Sequence, residues 1–208
     1  MEKRRFNSAN TKEAPKIGSR GGEKPPPGRY VFGFQVAKSD ISENKKARTN
    51  GDQLVIFEFV VVRVLSGGEP KPDWQGNIRT APIGARRSWV LNMKGDRSLG
   101  QLNEIALFLH GVNARDPSEL RSLGVIALDD TSDAIRKAAN EMDDLCNAVV
   151  DAEKNTLLNV RIECEVKDIE TEKDDGSKRT FIAYNFGLCA DPADLEHNAK
   201  ILGADVAA

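Results

Sequence analysis

Gln53-Leu54-Val55-Ile56-Phe57-Glu58-Phe59-Val60-Val61-Val62-Arg63-Val64-Leu65 is the stretch on which the fold turns. It is dense in Val, Ile and Phe, and both alternating sets of positions are apolar apart from Glu58 and Arg63. That pattern marks a strand buried on both faces. Gly67-Gly68-Glu69-Pro70 ends it. Upstream, Tyr30, Phe32, Phe34 and Val36 alternate with Val31, Gly33, Gln35 and Ala37, which predicts a first strand from Arg29. A polar loop over 39–52, holding Lys45, Lys46 and Arg48, joins the two.

Downstream, a long loop carrying Trp74 reaches Gly84, and Arg86–Leu91 reads as a third strand. Helical spacing then takes over. Leu99, Leu102, Ile105, Ala106 and Leu109 recur at three and four, with Gly111 as the stop. Pro117-Ser118-Glu119-Leu120 suggests a short helical turn. Ala134, Ile135, Ala138, Met142, Leu145, Cys146 and Val149 form a second stripe, capped by Thr131 or Ser132. Alternation resumes at Leu158. Val160, Ile162, Cys164 and Val166 point inward, while Arg161, Glu163, Glu165 and Lys167 point to water. Asp174-Asp175-Gly176-Ser177 turns the chain into a last strand over Arg179–Gly187, and Asp191-Pro192 opens a terminal helix.

The expected class is mainly β with a helical insertion, an α+β domain. Three strands, helices and then a hairpin is the order of a five-stranded OB-like Greek-key barrel with helices between strands 3 and 4. A plain antiparallel sheet with helices on one side satisfies the same string. The expected organisation is a flexible basic tail over 1–27, a domain over 28–190 with its insertion at about 96–152, and a helix and tail over 191–208.

The chain of 208 residues has a net charge of −2, unevenly spread. Residues 1–50 carry 12 Lys+Arg against 5 Asp+Glu, and the rest is acidic in balance. Cys146, Cys164 and Cys189 are far apart and form no CxxC pair, and His110 and His197 adjoin no cysteine, so no metal site of the usual spacing is read. There is no phosphate-binding GxxxxGK[ST] run, and the paired acids Asp129/Asp130, Asp143/Asp144 and Asp174/Asp175 read as capping or solvated. The expectation is therefore no enzyme, no catalytic residue and no cofactor. No apolar run reaches the roughly 20 residues of a membrane helix. Met1-Glu2-Lys3-Arg4-Arg5 leads into polar sequence, so a cytoplasmic protein without a membrane partner is expected.

Several stretches carry a family likeness: Pro27-Gly28-Arg29-Tyr30, Phe57-Glu58-Phe59, Arg87-Ser88-Trp89-Val90-Leu91-Asn92, Leu107-Phe108-Leu109-His110-Gly111 and the closing hairpin. In these the chain resembles phage-type OB-fold single-stranded DNA-binding proteins of replication and recombination modules, over about residues 28–188. It departs from cellular single-strand binders in ending Gly203-Ala204-Asp205-Val206-Ala207-Ala208, without their acidic, Phe-ended tail. The resemblance implies a sequence-tolerant binder of single-stranded DNA acting in viral replication or recombination, in the host cytoplasm. Replication or recombination proteins and a homo-oligomer are further partners it leaves open.

Such a binder needs cations for phosphates and aromatic faces for bases. The candidates are Lys45, Lys46 and Arg48; Arg79, Arg86, Arg87, Lys94 and Arg97; Lys173, Lys178 and Arg179; with Trp74 and Trp89 as rings. Tyr30 or Phe181 is the alternative stacking surface. The rival expectation is a non-enzymatic structural or interaction protein that assembles through the barrel and the acidic helix.

Overall fold

The computed structural model describes residues 24–41, 51–73, 76–94, 96–151, 153–172, 176 and 178–203. Its main sheet has five antiparallel strands: β1 (Gly28–Ile41), β2 (Gln53–Gly67), β5 (Arg86–Asn92), β6 (Arg161–Glu172) and β7 (Lys178–Gly187). They lie in the order β5-β2-β1-β6-β7. Helices α1 (Asp96–Leu109), α2 (Pro117–Ser122) and α3 (Ser132–Val150) are inserted between β5 and β6, and α4 (Pro192–Leu202) follows β7. The fold is thus α+β, with the insertion where the sequence places it. The long loop after β2 also contains a small ribbon, β3 (Lys71–Pro72) with β4 (Ile78–Arg79), which the sequence reading treated as irregular.

One face of the sheet makes the core. Tyr30, Phe32 and Phe34 of β1, Phe57 and Phe59 of β2, Ile162, Cys164 and Val166 of β6 and Phe186 of β7 are buried with Leu102, Ile105 and Leu109 of α1 and Met142, Cys146 and Val149 of α3. The aromatic rings pack mostly in tilted or offset pairs, such as Phe34 edge-on to Phe59 at 6.0 Å. On the opposite face, α4 is held by ion pairs from Asp194 to Arg63 and Arg161.

The expected alternation of β1 breaks at Gln35. Phe34 pairs with Phe59 but Val36 pairs with Glu58, so Gln35 is an extra residue, a β-bulge. The phase flips there. Ala37 enters the core in place of Val36. Gln35 is held by its Nε2 donating to Asn159 Oδ1 at 2.9 Å and by Asn155 donating to its carbonyl at 2.6 Å. Two further register shifts, between Arg29 and Tyr30 and between Val31 and Phe32, lie in the same strand pair. Bulges increase local twist, and the sheet is curled until rings from its two edge strands touch. Trp89 of β5 lies 5.1 Å from Phe186 and 6.1 Å from Tyr184 of β7. Among the described residues no hydrogen-bonded pairing joins β5 to β7, so the sheet is open along that seam.

Two boundaries differ from expectation. Ser39 and Asp40 pair with Val55 and Leu54, so β1 runs on into the segment read as loop. Pro25 and Pro26, assigned to the tail, are buried. The Tyr30 hydroxyl donates to the Pro26 carbonyl at 2.7 Å, and Gly68 N–H donates to that of Pro27 at 3.0 Å. The folded body therefore includes the proline segment.

Candidate nucleic-acid interface

The β6–β7 hairpin outruns the rest of the sheet. β1 pairs with β6 only as far as Val166, opposite Gly28, whereas the β6–β7 ladder continues from Lys167–Ala183 to Glu172–Lys178. On this arm Ile169 and Phe181 are cross-strand partners, and both are exposed, Phe181 at 41%. Among the described aromatic residues it is the exposed one. Tyr30, Phe32, Phe34, Phe57, Phe59, Phe108 and Phe186 are buried, and Trp89 and Tyr184 are partly buried against the core.

The inner side of the arm is fastened down. Asp168 accepts from Lys71 Nζ at 2.8 Å and from Arg79 Nη1 at 2.8 and 3.1 Å, which ties β6 to the β3–β4 ribbon. Burial works to raise the Asp168 pKa, but Lys71 and Arg79 overcome it and hold the carboxyl below its ordinary range.

The sequence candidates divide. Arg79 is buried, its guanidinium spent on Asp168 and the Pro25 carbonyl. Arg87 is buried as well, donating to the Arg86 carbonyl at 2.6 Å and to the Thr80 carbonyl. In both, the charged head is turned inward, to backbone oxygens and, for Arg79, to the Asp168 carboxylate. Arg86 and Arg97 are exposed. Lys94 is exposed with its Nζ 3.5 Å from Asp52, and Lys178 with its Nζ 3.7 Å from Glu170. Trp89 is a wall of the aromatic cluster, 5.5 Å from Phe57. Lys45, Lys46, Arg48, Trp74 and Lys173, and the side chain of Arg179, lie outside the described residues.

Apart from Lys178 on the hairpin, the accessible candidates form two stations, since Arg86 opens β5 while Lys94 and Arg97 follow its other end. β5 itself, from Arg86 to Asn92, spans about 20 Å. Asp52, which closes the loop between β1 and β2, sits at the Lys94 station and accepts from Asn92 Nδ2 at 2.8 Å.

Sequence reasoning missed Arg29 and Arg115. They border a groove of about 600 Å³ whose other walls include Asn113, Glu163, Asn185 and Phe186. Arg29 pairs with Glu163 at 3.0 Å. Arg115 lies over the Phe108 ring at 5.7 Å and donates to Asn185 Oδ1 at 2.7 Å and the Phe186 carbonyl at 2.8 Å. Nothing in the run Asn113-Ala114-Arg115-Asp116 announces this, since its partners lie some 70 residues away.

His110 is partly buried, and desolvation lowers its pKa despite a contact with the Leu145 carbonyl. Among the described residues no three His, Cys, Asp or Glu side chains are grouped to hold a metal ion, and no helix is long and apolar enough to cross a membrane. Fold and site together define an α+β protein with a curled, open antiparallel sheet and a projecting hairpin that displays one aromatic ring. Compared with family models, curated proteins and solved structures, the chain matches none.

Proposed function

We propose that this chain is a non-enzymatic, sequence-tolerant binder of single-stranded DNA, built on an opened OB-type barrel and acting in DNA replication or recombination of a virus. The observation that carries the reading is Phe181, a ring 41% exposed on a hairpin arm whose other side is tied to the β3–β4 ribbon through Asp168. Unpaired bases stack on such a ring whatever their identity, and the cation stations along β5 supply phosphate contacts. The strand order β5-β2-β1-β6-β7 supports the OB reading, because it is the barrel's order cut at one seam.

The test is a titration of labelled oligo-dT and of duplex DNA at two salt concentrations. Single strands bind more tightly, and affinity falls as salt rises because counterions are released on binding. Equal affinity for duplex, or no binding at low salt, removes the reading. A second reading, an assembly protein, is favoured by one specific observation: Leu123, Ile126, Leu128 and Ile135 of the helical insertion are all exposed.

A further inference from the structure

The projecting arm leaves one edge of β7 open. Arg115, which belongs to the helical insertion, donates to the Phe186 carbonyl at 2.8 Å, so that carbonyl is turned away from β6. Backbone groups alternate in direction along an antiparallel strand. The β6–β7 ladder runs without a register shift from Glu163–Gly187 to Glu172–Lys178, so the alternation holds along the whole strand. Lys178, Thr180, Ile182 and Tyr184 therefore also turn N–H and C=O away from β6, while Phe181, Ala183 and Asn185 bond to it. The far side of β6 agrees: the carbonyl of Val160, just ahead of β6, accepts from Phe34 N–H of β1 at 2.8 Å, which leaves Arg161 and every second residue after it for the β7 side.

β7 is the last strand of the sheet, and among the described residues no hydrogen bond fills the outward groups of Thr180, Ile182 and Tyr184. An edge of this kind is commonly guarded by a charge, a proline or a bulge. The run Thr180-Phe181-Ile182-Ala183-Tyr184-Asn185-Phe186-Gly187 has none of the three. Arg115 covers its Phe186 end, and the arm is left bare.

We propose that β7 pairs with β7 of a second copy of this chain, antiparallel about a twofold axis at Thr180. Lys178, Thr180 and Ile182 then face Ile182, Thr180 and Lys178 of the second copy, and each such pair exchanges two hydrogen bonds. Three observations select a second copy. The outward groups of one arm match the same groups of the other, residue for residue. β1 pairs with β6 only as far as Val166, so the arm stands clear of the sheet, and an antiparallel twofold puts the two bodies at opposite ends. The charged residues of β7, Lys178 and Arg179, fall opposite Ile182 and Phe181, so no like charges are directly opposed. The contact does not rest on the DNA reading. Directly opposed residues share a face of a sheet, so both Phe181 rings stand on one face of the joined arms.

Hydrogen exchange of the wild type tests this without any substitution. The Phe181 and Ala183 amides, bonded to β6, are expected to be protected at every protein concentration. Those of Thr180 and Ile182 are expected to gain protection, about tenfold or more, as concentration rises. Sedimentation is expected to give the mass of two chains, falling to that of one on dilution. Thr180→Pro removes an outward N–H and none that bonds to β6, and proline is tolerated where an edge N–H faces solvent. It is expected to keep the native circular dichroism and to sediment as one chain at every concentration; if it fails to fold, the wild-type exchange decides. A wild type that sediments as one chain throughout, or exchange at Thr180 and Ile182 that ignores concentration, overturns the proposal. So does a natively folded Thr180→Pro that still sediments as two chains.

Discussion

Arg79 Nη1 sits between both carboxylate oxygens of Asp168, at 2.8 and 3.1 Å, with each side chain at most 10% exposed. The same guanidinium donates to the Pro25 carbonyl, so one residue joins the incoming chain, the β3–β4 ribbon and the hairpin arm. Removing Arg79 leaves the buried Asp168 carboxylate with the half-exposed Lys71 at 2.8 Å as its remaining cation, and leaves the Pro25 carbonyl without this donor. Arg79→Met is therefore expected to cost about 3–5 kcal/mol, and adding Asp168→Asn to recover part of the loss. Urea unfolding of the two single variants and the double variant measures the recovery; its absence sinks the claim.

Acid sensitivity follows from the same pair. Asp168 is held below its ordinary range, whereas in the unfolded chain it titrates near about 3.9. Its stabilising contribution is therefore complete above the unfolded value and is lost as pH falls through the folded one. The double variant, lacking this group, is expected to lose less stability than the wild type between pH 5 and pH 3. Urea midpoints at the two pH values read the difference.

Gly28 has no room for a side chain. A Cβ there would lie 2.7 Å from the Ser66 carbonyl oxygen and 2.8 Å from Gly68 N, both backbone atoms that cannot swing away. Gly28→Ala is expected to cost about 1–3 kcal/mol through overpacking. Tyr30→Phe, which only removes the bond to the Pro26 carbonyl, is expected to cost about 1 kcal/mol. Thermal melts rank the two.

Phe181 and Trp89 separate stacking from support. Phe181→Ala is expected to weaken oligo-dT binding by about 1–3 kcal/mol at low and high salt alike, with little change in melting temperature. Trp89→Ala opens a gap beside Phe57 and Phe186 and is expected to cost stability first, about 3 kcal/mol. If Phe181→Ala binds as the wild type does, the stacking surface lies elsewhere, with Trp74 the next ring to replace.

The cysteines report on integrity. Cys146, Cys164 and Cys189 are all buried, and burial pushes the Cys189 thiol up to about 12 and Cys164 higher still. A thiol reagent at pH 8 is expected to leave the native protein unmodified and to label all three in urea. Fast labelling without denaturant would show that the core is open.

What the sequence made legible was whatever repeats locally. The alternation through Val160, Ile162, Cys164 and Val166 needs only its own strand, and all four are buried. Ala138, Met142, Cys146 and Val149 of the α3 stripe and its Thr131 cap are read the same way, the hydroxyl accepting from Ala134 N–H, whereas Ile135 of that stripe is exposed. The Gln35 bulge was hidden because its cause is Asn155 and Asn159, over a hundred residues on. The burial of Arg79 and Arg87 was hidden because a long side chain carries no sign of where its charged end goes. Phe181 could be ranked among the exposed rings only once the other described aromatics were placed in the core or against it.

Asn198 has a consequence for the state of the protein in a crowded solution. Its amide receives Arg161 N–H at 2.7 Å and donates to the Arg161 carbonyl at 2.7 Å, taking both backbone groups where β7 has already ended at Gly187. One side chain thus impersonates a neighbouring strand for the length of a single residue. A variant cut short before α4 would present that stretch of β6 as bare, adhesive backbone, and its fault would be clumping into sheets rather than loss of affinity for any ligand.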